Sequence, residues 1–388
     1  MIERNIIGSK SEYTKHWDLR SGVTYLNHGS FGPSPRVVRK QRHYWSELLE
    51  AEPMDFFLRQ CPIEIARVMS HLSALIGTNP RDIVPMENAT MGMNVVASSI
   101  PLSQGDEVLL TNHEYGAVHR TWDKACKQKG AEVIVAKLPH PLGTSEEIVD
   151  TIRAAITPRT RLVVCSHVTS QTAVVLPVRE ICKLASDLDI LSCIDGPHAV
   201  AMLPLALSRL NCDYYTASCH KWLSAPFSSG FLYVHPRRQD SIQPAIVSWG
   251  LPAAGYESSW RDEFLWLGTR DLAATLAIST AIDFLDGIGW ETFRDRSRRL
   301  ITLALARLKE EFNFQPVVNT PTDYVSMAAV SIKAEYRETL QQRLWDEFQI
   351  EIPVTEWNGQ HLLRISCHLY NDENDIDALC RAIHTIVT

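Results

Sequence analysis

Short apolar runs alternate with amphipathic stretches through the first two thirds of the chain. The apolar runs, which predict strands, cover residues 83–86, 107–111, 132–136, 162–166, 190–194 and 214–217. The stretches with helical periodicity cover residues 91–99, 116–129, 145–156 and 177–187. This alternation predicts an α/β fold with a mostly parallel sheet and helices on both faces. Ligands of such sheets bind at the carboxyl ends of the strands.

The two ends of the chain follow different patterns. Helices are predicted over 35–51 and 55–76 before the first strand, over 271–286 and 290–312 after a Trp-rich loop at 249–266, and over 336–346 and 373–386 in the tail, where strands are predicted over 327–332, 350–354 and 362–366. The irregular tail favours a smaller α+β unit. We therefore expect residues 1–265 to form an N-terminal segment with a large domain, and residues 266–388 to form a small C-terminal domain.

Composition removes several classes of function. The 388 residues carry a net charge of −7 without a basic run, which argues against nucleic acid as a partner. The apolar stretches are too short to span a bilayer, and the N-terminus lacks the apolar core of a signal peptide. The nine cysteines form no Cys-x-x-Cys pair, so we expect a reducing cytoplasm and neither a disulfide scaffold nor a metal site.

An acid and a lysine mark the stretch around which the chemistry is organised. Asp195 closes the apolar run 190–194, and Lys221 follows the run 214–217. A lysine can form a Schiff base with pyridoxal phosphate, while an aspartate keeps the pyridine nitrogen of that cofactor protonated. The chain has no Gly-x-Gly-x-x-Gly, phosphate-binding Gly-Lys-Ser/Thr or Gly-x-Ser-x-Gly motif, which disfavours dinucleotide, ATP and serine-hydrolase functions.

Other strand ends carry residues that suit this cofactor but have simpler explanations. Asn88 and Thr90 open a helix whose free N–H groups could hold a phosphate, although both are also ordinary N-cap residues. Tyr115 could lay its ring on a flat cofactor or merely pack. The loop with Gly29 and Gly32 allows close approach of a ligand or of another part of the chain.

Taken in order, the motifs resemble the class V aminotransferase family of fold-type I pyridoxal phosphate enzymes, and within it the isopenicillin N epimerase-like branch. The shared strings are Leu26-Asn27-His28-Gly29-Ser30-Phe31-Gly32, Asn88-Ala89-Thr90, His113-Glu114-Tyr115-Gly116, Ser166-His167-Val168-Thr169-Ser170, Asp195-Gly196-Pro197-His198, His220-Lys221-Trp222, Gly268-Thr269-Arg270-Asp271 and Leu363-Arg364-Ile365-Ser366. Two positions depart from that pattern: Pro197 where an alanine is common, and Gln171 where proline is common.

The resemblance implies a role for each matching residue. Lys221 would bind the cofactor and act as the base at Cα, Asp195 would pair with the pyridinium, and His198 would reach the ring hydroxyl. The remaining cofactor contacts would come from Tyr115 as the stacking ring, from Ala89, Thr90, Ser218 and His220 at the phosphate, and from Gly268 and Thr269 at the phosphate of a neighbouring subunit, which implies a homodimer. Arg364 would clamp the substrate carboxylate, bordered by Ser30 and Ser170.

The reaction at Cα stays open among three types. Epimerisation needs proton transfer on both faces, for which Lys221 would serve one face and Tyr115 or His28 the other. The resemblance favours this reaction; a β-eliminating C–S lyase and an aminotransferase are the alternatives, and a non-catalytic regulatory protein that binds the cofactor is a fourth. A persulfide mechanism is rejected, because residues 334–363 contain no cysteine and Cys219 is expected to be packed and inert.

Overall fold

A computed structural model describes residues 11–250, 259–318 and 324–387 of the chain. Its strands are β1 (Thr24–Tyr25), β2 (Ile83–Met86), β3 (Glu107–Thr111), β4 (Glu132–Ala136), β5 (Thr160–Ser166), β6 (Leu191–Asp195), β7 (Tyr214–Ser218), β8 (Gly230–Val234), β9 (Gln315–Pro316), β10 (Met327–Ile332), β11 (Ile350–Glu351), β12 (Val354–Trp357) and β13 (Gln360–Ser366).

The α-helices alternate with these strands through the first part of the chain and cluster in the second. They are α1 (Arg36–Ala51), α2 (Pro53–Asp55), α3 (Cys61–Ile76), α4 (Ala89–Ser99), α5 (Gly116–Lys129), α6 (Ser145–Ala155), α7 (Val178–Asp187), α8 (Leu207–Leu210), α9 (Asp262–Leu265), α10 (Ala273–Leu276), α11 (Ile278–Ile288), α12 (Trp290–Phe312), α13 (Leu340–Phe348) and α14 (Glu373–Val387). None of the helices in the described part of the chain is long and apolar enough to cross a membrane.

A seven-stranded sheet in the order β2-β8-β7-β6-β5-β3-β4 forms the centre of the molecule. β8 pairs antiparallel with both β2 and β7, and the other pairings are parallel. The predicted mostly parallel α/β fold is confirmed. The carboxyl ends of β2, β3, β5, β6 and β7 therefore meet at one edge of the sheet.

Apolar side chains cover both faces of this sheet. Along β3, Val108 and Leu110 pack with α4 and α5, whereas Leu109 faces the core on the opposite side. Strands buried on both faces are written as nearly continuous apolar runs, which is why the sequence pattern located them. β4 is one of the two edge strands, and its exposed positions fit that place.

A second sheet, ordered β12-β13-β10-β9, carries the C-terminal part of the site. Its strands are antiparallel, and Arg364 on β13 lies opposite Ala329 on β10. The N-terminal segment joins this region, because β1 pairs with β11 and the Ser366 N–H donates to the Leu26 carbonyl at 2.9 Å. Residues just after β1 therefore lie close to Arg364.

The structure changes some predicted boundaries. β8 was absent from the predicted strands. The predicted helix 271–286 is divided at Ala277 into α10 and α11, and the predicted strand 350–354 into β11 and β12. Residues 251–258 of the Trp-rich loop lie outside the described residues. The domain division at residues 265 and 266 stays a prediction.

Candidate active site

A cavity of about 320 Å³ opens where the carboxyl ends of the central strands face Arg364. Most of the predicted site residues line it, namely Ser30, Ala89, Thr90, Tyr115, Ser170, Asp195, His198, Ser218, His220, Lys221 and Arg364. Three predicted residues are absent from its wall: His28, Gly268 and Thr269. The cavity thus gathers residues that are spread over the chain from position 30 to position 364.

Lys221 lies in the loop between β7 and β8, with its amine in the cavity. The Lys221 Nζ is 2.9 Å from the His198 Nε2. Desolvation, together with the nearby Arg364 charge, lowers the pKa of Lys221 to about 7, and Asp195 opposes the shift. A lysine with such a pKa presents a large fraction of neutral, nucleophilic amine near neutral pH.

Asp195 ends β6 and is 5% exposed, at the cavity wall. Among the described residues, no hydrogen-bond donor contacts its carboxylate. Burial raises the pKa of Asp195 to about 7, and the neighbouring Glu114 adds to the effect, while Lys221 opposes it. A buried carboxyl without a donor costs free energy unless a ligand supplies one. A protonated ring nitrogen would be such a donor.

The N-terminus of α4 faces the same cavity. Asn88 caps the helix by accepting from the Met91 N–H at 2.9 Å, and the Ala89 N–H donates to the Ser218 Oγ at 3.0 Å. Close by, the buried His220 Nδ1 has no hydrogen-bond partner within the described part of the chain. A helix N-terminus flanked by hydroxyl groups and an unpartnered imidazole nitrogen suits a phosphate.

Arg364 closes the cavity from the second sheet and is 3% exposed. Its Nη2 donates to the Ser30 Oγ at 2.5 Å, and its Nη1 donates to the Ser170 carbonyl at 2.6 Å. No carboxylate pairs with it among the described residues, and its buried Nε is unpartnered. Burial lowers the pKa of Arg364 to about 10. A buried guanidinium held only by neutral acceptors is suited to bind a carboxylate from outside the chain.

Tyr115 precedes α5 and is 49% exposed, so its ring is open to a ligand. Thr269 is exposed and Gly268 is half-buried, and both lie outside the cavity. These placements leave Tyr115 available within the chain, whereas Gly268 and Thr269 need a partner chain for their predicted contact.

His28, which was predicted as one of two residues for proton transfer on the second face, lies outside the cavity wall. Its ring is completely buried behind Lys221: Nδ1 lies 2.9 Å from the Tyr370 hydroxyl, and Nε2 lies 3.0 Å from the Lys221 carbonyl. A Cβ at Gly32 would come within 2.6 Å of this Nε2, so Gly32 allows the close packing of one chain segment on another. His28 therefore contacts the main chain of Lys221 and lies outside the cavity wall.

Sequence reasoning assigned no role to two buried neighbours of the predicted residues. Glu114 accepts hydrogen bonds from the Thr111 Oγ1 and the Ser166 Oγ, both at 2.6 Å, and burial raises its pKa to about 7. Trp222 donates from its indole N–H to the His198 Nδ1 at 3.2 Å. Each is adjacent in sequence to a predicted site residue, and that adjacency was the available signal.

A parallel sheet that ends in a lysine, an aspartate and a helix N-terminus defines an α/β enzyme of the kind that holds a phosphorylated cofactor. The family model for aminotransferase class V matches residues 35–379. The chain therefore belongs to the aminotransferase class V family. Enzymes of this family use pyridoxal phosphate, and the unpartnered atoms of Asp195, His220 and Arg364 fit that cofactor with an amino acid.

Similar proteins include two epimerases. Isopenicillin N epimerase of Amycolatopsis lactamdurans is 36% identical over 94% of this chain and 95% of that protein. Isopenicillin N epimerase of Streptomyces clavuligerus is 35% identical with the same coverage of both chains. A putative L-cysteine desulfhydrase of Oryza sativa subsp. japonica is 26% identical over 97% of this chain and 85% of that protein.

Solved structures agree in fold. The cystine C–S lyase C-DES, in complex with cysteine persulfide, superposes with a TM-score of 0.82 at 23% identity, covering 93% of this chain and 97% of that one. A C-DES mutant with glycine covalently linked to its cofactor gives a TM-score of 0.83 at 22% identity, covering 93% of this chain and 96% of that one. These likenesses bear on the fold alone.

Proposed function

We propose that the protein is a pyridoxal phosphate-dependent epimerase that inverts the configuration at Cα of an amino acid. The observation that carries the proposal is a single cavity lined by Lys221, Asp195 and Arg364. Among the described residues, the Asp195 carboxyl accepts no hydrogen bond and the Arg364 guanidinium has no carboxylate partner. When bound, the cofactor supplies an electron sink for a carbanion at Cα. The two epimerases, at 35–36% identity, support this reaction over the alternatives.

Each residue has a task that follows from its environment. Lys221 would hold the cofactor and, as a neutral amine, would take or return the proton at Cα. Asp195 would hold the pyridine nitrogen protonated, and His198 would contact the ring hydroxyl. Arg364 binds the α-carboxylate through its planar fork, with Ser30 and Ser170 fixing the guanidinium. Binding the carboxylate in this way fixes which bond of Cα meets Lys221.

Ala89, Thr90, Ser218 and His220 hold the cofactor phosphate in this proposal. Tyr115 would stack on the cofactor ring and transfer the proton on the second face of Cα, because its exposed phenol lies in the cavity wall. His28 is not proposed for proton transfer, since both of its ring nitrogens are engaged.

A C–S lyase is the second candidate, since desulfhydrases are among the relatives. β-Elimination needs the same lysine and a leaving group at Cβ. A persulfide reaction lacks its thiol: all nine cysteines are buried, and burial raises the pKa of Cys219 to about 12. The nine unpaired thiols support a reducing, cytoplasmic location. Transamination and a purely regulatory role are outcomes of the test below.

The proposed active form is a homodimer in which Gly268 and Thr269 reach the phosphate in the partner subunit. Large apolar side chains exposed near the site support an interface. Phe31, a cavity residue, is 66% exposed, and Phe227, whose ring centroid lies 5.5 Å from that of His220, is 45% exposed. Sedimentation of the holoenzyme at micromolar concentration checks the dimer.

Purified protein should be yellow, and borohydride should fix the cofactor to Lys221. Lys221→Ala should abolish both covalent attachment and turnover. Lys183→Ala, which removes an exposed lysine paired with Asp187, is the matched control and should keep both. A wild-type protein that stays colourless with added pyridoxal phosphate would contradict the proposal.

Amino acids incubated with the enzyme in deuterated water separate the reactions. Deuterium at Cα with inverted configuration indicates epimerisation. Pyruvate with a released thiol indicates lyase action, and an oxo acid that retains the side chain indicates transamination. Cofactor binding without any of these products indicates a regulatory protein.

A further inference from the structure

Trp222, the residue after Lys221, lies behind the cavity and is completely buried. Its indole N–H donates to the His198 Nδ1 at 3.2 Å. An indole nitrogen can only donate a hydrogen bond. The Nδ1 of His198 must therefore accept, so it carries no proton.

The other ring nitrogen of His198 points at Lys221. Its Nε2 lies 2.9 Å from the Lys221 Nζ. Rotating the imidazole ring by 180° would put carbon atoms at both contacts and leave the indole N–H and the amine without this partner. The two contacts together thus fix the orientation of the ring.

The number of protons on the His198 ring determines the protonation state of Lys221. A neutral imidazole has one N–H and one bare nitrogen. Because Nδ1 is bare, the proton is on Nε2 and is directed at the Lys221 Nζ. An ammonium group has no lone pair to accept it, whereas a neutral amine has one. An imidazolium would also fail, since its Nδ1–H would meet the indole N–H.

We propose that Trp222 is a positioning residue that holds His198 as the Nε2–H tautomer and thereby favours the neutral amine of Lys221. This inference rests on the proposed role of Lys221 as the nucleophile that captures the cofactor. Replacing Trp222 by phenylalanine would free Nδ1 to take the proton. The bare Nε2 could then accept from a Lys221 ammonium, which would be less nucleophilic.

Other groups also set the charge of Lys221 and must be separated from this effect. Arg364 disfavours the ammonium and Asp195 favours it, and desolvation is the largest cause of the lowered pKa of Lys221. Glu114 acts on Asp195. His220 and His198 are neutral neighbours, because burial lowers the pKa of both. A substitution at Trp222 leaves all these groups in place but also changes the packing on the His28 and His368 rings, so a His198→Leu background is needed to assign a difference to the tautomer.

The test uses cofactor-free protein and the rate at which formaldehyde with cyanoborohydride methylates Lys221, followed by peptide mass spectrometry across pH. Wild-type protein should show a midpoint near neutral pH. Trp222→Phe should raise the midpoint and reduce the rate at pH 7 by roughly threefold or more, since a tenfold change corresponds to one pH unit of midpoint. An unchanged midpoint in folded Trp222→Phe protein would overturn the inference.

Two further variants control the experiment. In a His198→Leu background, Trp222→Phe should have no additional effect on the midpoint, as expected if the effect passes through His198. An equal shift in both backgrounds would refute that route. Trp122→Phe removes another completely buried indole N–H, which contacts the Met93 sulfur at 3.3 Å, and should leave the midpoint unchanged.

A direct measurement covers the case in which Trp222→Phe does not fold. Nitrogen-15 labelling of the histidines of wild-type protein, with His198→Leu identifying the resonance, should give a protonated Nε2 and a bare Nδ1. A bare Nε2 would overturn the inference. Covalent attachment of the cofactor to wild-type protein is measured separately. If the cofactor attaches normally but the tautomer effect is absent, the inference about Trp222 is refuted and the proposed function is not.

Discussion

Two buried aspartates at opposite ends of neighbouring strands are treated in opposite ways by this protein. Asp213, just before β7, is 2% exposed on its side chain and accepts from the Arg237 and Arg238 guanidinium groups and from the Ser192 N–H. Asp195, at the end of β6, is 5% exposed and has no such donor within the described residues. One carboxylate is satisfied by the chain, and the other is left for a ligand.

The difference appears in the electrostatics of the two groups. Burial alone would raise the pKa of Asp213, but hydrogen bonds from Arg238 and Arg237 outweigh it and the pKa is lowered. Burial and Glu114 raise the pKa of Asp195 to about 7. A fold that can stabilise one aspartate so fully leaves the other unstabilised at a cost to its own stability, which is typical of functional sites.

Of the substitutions at the two aspartates, Asp195→Asn should have the larger effect, and that effect should fall on activity. Removing a preorganised charge from the cofactor ring should reduce kcat by about 10³-fold, by analogy with the loss of one electrostatic group in other active sites. The cofactor-free protein should unfold at the same or a higher urea concentration, because an unpaired buried carboxyl has been removed. Steady-state kinetics and urea titration check both results.

Full activity in folded Asp195→Asn protein would remove Asp195 from the cofactor site. Large destabilisation with normal turnover per folded molecule would mean that Asp195 belongs to the same class as Asp213. The two aspartates would then have the same structural role, and the contrast drawn between them would be wrong.

Asp213→Asn should show the reverse division. It breaks charged hydrogen bonds to Arg237 and Arg238, so the free energy of unfolding should fall by about 2 kcal/mol, while turnover per folded molecule stays unchanged. Because the folded pKa of Asp213 is lowered, its contribution is present above the ordinary carboxyl range and is lost as pH falls through the folded pKa. The difference in free energy of unfolding between Asp213→Asn and wild type, measured by urea titration, should therefore become smaller in acid. A selective fall in kcat would contradict this assignment.

Much of the fold could be predicted because burial on both faces of the central sheet leaves a plain sequence pattern. β2, β3 and β4 have the predicted bounds, as does α12. β8 was not predicted because its antiparallel return follows from packing against β2 and β7, which no local pattern encodes. The division between α10 and α11 was also missed, since the residues around Ala277 are good helix formers.

Site residues could be predicted where the chemistry of the cofactor requires a particular residue type. They could not be predicted where the role of a residue depends on its distance from other groups. Lys221 and Asp195 were predicted from their types and their places at strand ends, and Arg364 was predicted from the family resemblance and its place within an apolar strand. The same reasoning placed His28 near a substrate, but the structure uses its imidazole to hold a main-chain carbonyl. Trp222 was not predicted as a site residue, because a buried tryptophan is common in proteins. Only its distance to His198 indicates the hydrogen bond between the two side chains.

The smallest expected effect is a slope in the pH dependence of stability that belongs to Asp195 and is absent for Asp213. A carboxyl with a folded pKa near 7 keeps its proton in the folded state while the unfolded chain releases it above the ordinary range of aspartate. The folded state then binds more protons, so stability falls as pH rises from about 4 toward 7. Lys221 acts in the opposite sense at higher pH: its folded pKa is lowered to about 7, so stability rises from there toward the ordinary lysine range. Relative to wild type, the free energy of unfolding of cofactor-free Asp195→Asn protein in urea titration should therefore increase as pH rises from 5 to 7, whereas that of Asp213→Asn should show no such increase. Identical slopes in wild type and Asp195→Asn would mean that the ligand-facing carboxyl is as well satisfied by the chain as its neighbour.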